Sequence, residues 1–142
     1  KLSAIDEYLE QIREFSDVTV DKYGSDWRTQ RIVERTLQIM IETCADIANH
    51  IISDRNMRIP TGYSDTFKVL LENGAIDKDL FAVMEKMAKF RNIVVHQYEE
   101  VDAEIVIIIL KKHIGDFARF KEAILGSLKE MPPGDRSWRQ RI

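Results

Sequence analysis

Cysteine is nearly missing: Cys44 is the only one in 142 residues. No disulfide can therefore close within the chain, and no CxxC pair is available for zinc or redox chemistry. Cys44 falls in an apolar helical pattern, which predicts a small buried residue in a reducing compartment. Glycine-rich phosphate loops, a nucleophile elbow and an HExxH pair are also lacking, as are internal repeats and low-complexity tracts. No stretch reads as a signal peptide or as a membrane span, so a cytoplasmic location is expected. An excess of positive charge is missing too. Lys and Arg number 21 against 24 Asp and Glu, for a net charge of −3 and a pI near 5.7. That balance argues against a protein that coats nucleic acid by charge alone, so any nucleic-acid contact must be local.

What is present is the material of one helical domain. With 44% hydrophobic and 32% charged residues, the chain is long enough to bury its own core. Ile5, Tyr8, Leu9, Ile12 and Phe15 recur at spacings of three and four, predicting an amphipathic first helix. Tyr23-Gly24-Ser25-Asp26 reads as a break that caps a longer helix from about Trp27 to Ser53. Residues 55–62, with Pro60 and Gly62, read as a connection in which Arg55 and Arg58 are simply exposed. A short helix from about Ser64 ends at Asn73-Gly74. The next begins near Asp77 and runs to about Tyr98–Glu100.

Asp102 is a candidate N-cap, flanked by Val101 and Val106 as a hydrophobic staple. The run Ile105-Val106-Ile107-Ile108-Ile109-Leu110 alone resembles a buried strand. Ile114, Phe117, Phe120, Ile124 and Leu128 continue at helical spacing, so one helix to about Lys129 is expected, buried all round at its start. The reading is an all-α, antiparallel up-and-down bundle of about five helices. Residues 1–130 form a single domain and 131–142 a flexible tail carrying Arg136, Arg139, Arg141 and Trp138.

The chemistry concentrates in Phe90-Arg91-Asn92-Ile93-Val94-Val95-His96-Gln97-Tyr98. On a regular helix Arg91 and Tyr98 fall near the centre of the apolar face, with Asn92 and His96 on the other side. An arginine there is either an ion pair across a helix interface or a functional group. Arg91 and His96 would lie about 140° apart and about 7.5 Å along the axis. They converge on one phosphate only if the helix unwinds near His96 or if two copies share a site, which predicts a homodimer. Arginine can hold non-bridging phosphate oxygens and histidine can move a proton near neutral pH, a pairing suited to RNA cleavage without metal or other cofactor. Asn92 could orient the imidazole or the substrate, and Tyr98 could stack on a base. A second row, Glu42, Asp46 and His50, reads as a solvated face with modest charge pairing. His113 with Lys111 and Lys112 reads likewise as a solvated polar face.

The order Arg91-Asn92, four residues between Arg91 and His96, and then Tyr98 resembles the motif of the HEPN superfamily, in particular the HepT-like toxins of toxin–antitoxin modules. Weaker similarity spans about residues 1–128, through Glu34-Arg35, Leu37-Gln38, Ile41-Glu42, Asp46-Ile47-Ala48, Phe67, Leu70, Gly74 and Val101-Asp102. The resemblance implies a HEPN-like homodimer acting as a metal-independent endoribonuclease in a type VII-like module. Arg91 and His96 would be catalytic, with Asn92 in support. The implied partners are an RNA substrate and a minimal nucleotidyltransferase antitoxin that transfers AMP to the motif tyrosine, here Tyr98. Two alternatives stay open: a non-catalytic nucleotide- or RNA-binding subunit of a nucleotidyltransferase, and a structural dimer in which Arg91 is an interface ion pair.

Overall fold

The architecture is organised around one long helix, α3 (Trp27–Asp54). A computed structural model describes residues 1–129 of the chain. Val33, Leu37, Met40, Ile41, Cys44, Ile47, Ala48 and Ile51 all lie buried along α3, so its apolar face is wide enough to take neighbours on several sides. It packs against α1 (Leu2–Arg13), α2 (Val20–Ser25), α4 (Tyr63–Glu72), α5 (Lys78–His96) and α7 (Ile114–Leu128). Asp26 starts α3 by accepting the Arg28 and Thr29 amides at 3.1 and 3.4 Å, as the sequence suggested for a side-chain cap. Burial at Cys44 is complete, and it pushes the thiol above its ordinary value.

All described residues fall in helices or their connections, with no strand among them. The five expected helices are present among the described residues. The sixth, α2, lies where only a break was expected: Thr19 caps it by accepting the Lys22 amide at 3.1 Å, and the buried Tyr23 anchors it in the core. Gly74 ends the α4 segment with φ +75°, a left-handed conformation that glycine adopts without a Cβ clash. Asp77 then caps α5 through the Leu80 amide at 2.8 Å. After a short 3₁₀ turn at Tyr98–Glu100, Asp102 caps α6 (Ala103–Ile108) through the Glu104 amide. A π turn at Ile109–His113 joins α6 to α7, so one continuous helical element closes the bundle. Phe120 meets Phe67 of α4 edge-on in its core, with ring centroids 5.8 Å apart.

Three expectations need correction. Arg58 is no bystander: its guanidinium grips Asp65 at 2.7 and 2.8 Å and Glu72 at 2.8 and 2.9 Å, tying the connection to both ends of α4. Arg55 donates to the Ser127 carbonyl at 2.7 Å, tying that connection to the end of α7. The start of the last helix is not buried all round, because Ile105 and Ile108 remain 45% and 43% exposed while Val106, Ile107, Ile109 and Leu110 face inward. Among the described residues no helix is long and apolar enough to cross a membrane. The proposed tail at 131–142 lies outside the described residues.

Candidate active site

The motif sits at the end of α5, and its residues separate by environment. Arg91 is 14% exposed at its side chain, and its guanidinium carbon lies 4.1 Å from the centroid of the Tyr63 ring on α4. Stacking on an aromatic face favours a cation that has lost part of its water. Nε of Arg91 lies 3.6 Å from the Glu42 carboxylate on α3, close enough for charge attraction and too long for a hydrogen bond. Nε has no hydrogen-bond partner among the described residues. Gln38 donates to the same Glu42 oxygen, Oε1, at 2.7 Å. Asn92 Oδ1 accepts from Arg91 Nη1 at 3.2 Å. Asn92 therefore engages the arginine rather than His96. The cross-helix carboxylate that an arginine in an apolar face requires is Glu42.

Helix α5 stays regular through His96, its last residue. The separation of about 140° between Arg91 and His96 consequently holds, and one chain does not bring the two groups onto the same face. His96 is exposed. Asp46 and His50, the rest of the acidic row, lie near Lys1, at 3.8 and 3.3 Å, away from the motif.

Tyr98 departs from the regular-helix expectation. Because α5 stops at His96, Tyr98 begins the 3₁₀ turn and does not enter the apolar face. It is 41% exposed, and the Arg31 guanidinium of α3 stands 5.4 Å from its ring centroid. Beneath it lies Glu34, only 4% exposed. Glu34 Oε2 accepts the buried Tyr23 hydroxyl, while Oε1 has no partner among the described residues. The Tyr98 phenol is held above its ordinary pKa, first by partial burial and then by the neighbouring Glu34 carboxylate, with Arg31 opposing.

Arg91 meeting Glu42 and Tyr98 meeting Arg31 place the end of α5 antiparallel along the first half of α3. The site is therefore built on two helices. The sequence motif names one of them; Arg31 and Glu34 belong to the other and were not singled out chemically. Their signal was available as two charged residues at a three-residue spacing in a buried helix, which by itself does not distinguish a site from a solvated face.

The ribonuclease HepT-like family profile matches residues 5–124. The chain belongs to this family. An mRNA nuclease HepT from Shewanella oneidensis is 36% identical over 103 residues, covering 72% of this chain and 77% of that protein. A tRNA nuclease HepT from Aphanizomenon flos-aquae is 29% identical over 114 residues, covering 78% and 75%. Among solved structures, the tri-AMPylated HEPN toxin of Shewanella oneidensis in complex with its MNT antitoxin superposes with a TM-score of 0.80 at 31% identity, covering 88% of this chain and 93% of that one. The all-helical HepT fold and ribonuclease-family membership expected from the motif are thus established for this HepT-like chain.

Proposed function

We propose that this chain is the toxin of a toxin–antitoxin pair, an endoribonuclease that cuts RNA with Arg91 and His96. The observation that carries the reading is Arg91 itself. Tyr63, Glu42 and Asn92 hold the guanidinium in place while the side chain keeps 14% exposure, which suits a positioned cation that meets a phosphate at the surface. In this mechanism the 2′-hydroxyl of RNA attacks the adjacent phosphorus, the 5′-oxygen leaves, and His96 transfers a proton to or from those oxygens. Arg91 stabilises the charge that gathers on the non-bridging oxygens, and Asn92 fixes its orientation. The step requires no metal or organic cofactor, since arginine supplies the charge and histidine the proton transfer.

The regular helix between Arg91 and His96 supports a site shared by two copies. An apolar groove of about 270 Å³ lies between α5 and α6, lined in part by Met87, Phe90, Ile105 and Ile108. Covering that groove with a second copy would make the homodimer that the shared site needs. The second proposed partner is a minimal nucleotidyltransferase antitoxin that transfers AMP to Tyr98. Exposure of the phenol supports this role, and the added phosphate would repel an RNA backbone at the site. RNA as substrate and a reduced Cys44 fit a cytoplasmic protein. The domain comprises residues 1–130.

Induced expression of wild type and His96→Ala, with growth curves and total RNA on a denaturing gel, tests the proposal. Wild type is expected to arrest growth and fragment RNA; the variant, folded, should lose activity by about 10²–10⁴-fold. Equal arrest by both proteins would overturn the assignment of His96. Healthy growth and intact RNA in both would favour the nucleotide-binding subunit instead.

A further inference from the structure

Helix α3 carries a second feature that the motif does not explain. Arg28, Arg31 and Arg35 are exposed, and their spacing puts them within about 60° of one another on one side of the helix. None of the three forms a salt bridge among the described residues. Arg28 instead stands over the Trp27 ring at 5.5 Å, and Arg31 over the Tyr98 ring at 5.4 Å. Asp26, the neighbouring acid, is engaged in the helix cap through both oxygens, and Glu34 is turned into the core. Trp27 is 62% exposed, unusual for so large an apolar ring. The same row continues along α3 to Gln38 and to Glu42, which lies 3.6 Å from Arg91, so about 21 Å of helix connects Arg28 with the motif. In a chain of net charge −3, a file of arginines outside any salt bridge among the described residues, edged by two exposed aromatic rings and ending at the motif, has the composition of a single-strand nucleic-acid surface. Guanidinium groups track the backbone there while rings stack on bases.

We propose that Trp27, Arg28, Arg31 and Arg35 form the landing surface for single-stranded RNA, leading one phosphodiester along α3 to Arg91 and His96. The inference rests on the ribonuclease reading above and adds to it where the substrate strand lies. Trp27 and Tyr98 provide stacking platforms, and the arginines bind phosphates without reading sequence.

The test is fluorescence anisotropy of a fluorescein-labelled single-stranded RNA with the full chain, carrying His96→Ala to prevent cleavage, across a series of salt concentrations. Adding Arg28→Glu and Arg35→Glu, both exposed and therefore compatible with the fold, is expected to weaken binding by about tenfold or more. It should also flatten the log–log salt dependence by about 1.4, from two contacts of about 0.7 each. Arg28→Lys with Arg35→Lys should retain the slope. Trp27→Ala should cost between about 5-fold and about 150-fold in affinity with the slope unchanged. Circular dichroism melting checks that each variant is folded.

If the His96→Ala chain binds RNA and charge reversal leaves both affinity and slope unchanged, the landing surface is overturned while the ribonuclease reading stands. If charge reversal spares RNA but abolishes capture of a co-expressed minimal nucleotidyltransferase, the surface serves a protein and the inference is equally overturned. If the His96→Ala chain binds no RNA at all, the ribonuclease reading fails and takes the landing surface with it.

Discussion

Glu34 is the residue whose position most needs explaining. A carboxylate that is 4% exposed is costly to desolvate unless its oxygens are satisfied, and Tyr23 satisfies one of them. The pair explains why α2 exists: six residues could not hold a helix in water, but Tyr23 fixes α2 to α3 through a buried polar contact. Tyr23→Phe should therefore destabilise the protein by about 1–3 kcal/mol, the usual cost of stranding a buried polar group, read from urea unfolding. The pH dependence has a definite sign. Burial, reinforced by Glu34, raises the Tyr23 phenol well above its ordinary value of 10.0, so the native state keeps a proton that the unfolded chain releases. The associated stability is complete below about pH 10 and declines as pH rises further. Tyr23→Phe should abolish that share of the alkaline loss, and an unchanged alkaline slope would show that another group causes it.

At the scale of elements, α4 owes its placement to Arg58 as well as to its apolar face. Phe67, Val69 and Leu70 bury one side of α4, while Arg58 links Asp65 in its first turn with Glu72 in its last. Hydrogen bonding to Arg58 holds both carboxyls below the usual carboxylate range. Lowered values mean that the stabilisation is present above the ordinary carboxylate pKa and is lost as pH falls below about 4. Arg58→Ala should melt below wild type at pH 7, and the gap should close as the pH is lowered through 4 toward 2. A gap that stays constant to pH 2 would assign the effect to lost packing of the arginine stem. Because Tyr63 opens α4 and carries Arg91 on its ring, slackening this clamp should also lower RNA cleavage at neutral pH.

At the scale of the whole molecule, the motif lies beside an apolar groove that the described residues leave open. Ile105 and Ile108 stand exposed at its edge, and they belong to the same element whose other side, Val106, Ile107, Ile109 and Leu110, fills the core. Two exposed isoleucines beside an apolar groove are what the proposed two-fold partner would bury. Ile108→Glu is expected to convert a dimer into a monomer in sedimentation velocity at micromolar concentration, with the helical circular dichroism signal retained and cleavage lost. A wild-type protein that sediments as a monomer would remove the basis for a site shared between copies.

Local patterns were enough for the helices and for the motif half of the candidate site. Spacing of three and four marked the long helices, Asp26 and Asp102 announced their caps, and Gly74 marked a stop, because each of these depends on neighbours within a turn or two. Arg91, Asn92, His96 and Tyr98 were legible as a motif for the same reason. Their surroundings were not. Whether Arg91 would find Glu42 or Tyr63, whether Tyr98 would stay in the apolar face or turn out to Arg31, and whether Glu34 would be buried all depend on how α5 lies along α3, decided by core packing between residues far apart in the chain. The short α2, with a glycine near its end, lacked the length to show a period. Sequence alone thus determined which elements form and which groups could do chemistry, through interactions local to each helix; the tertiary structure decided their partners, since charge, stacking and burial act between helices only once the core has set them side by side.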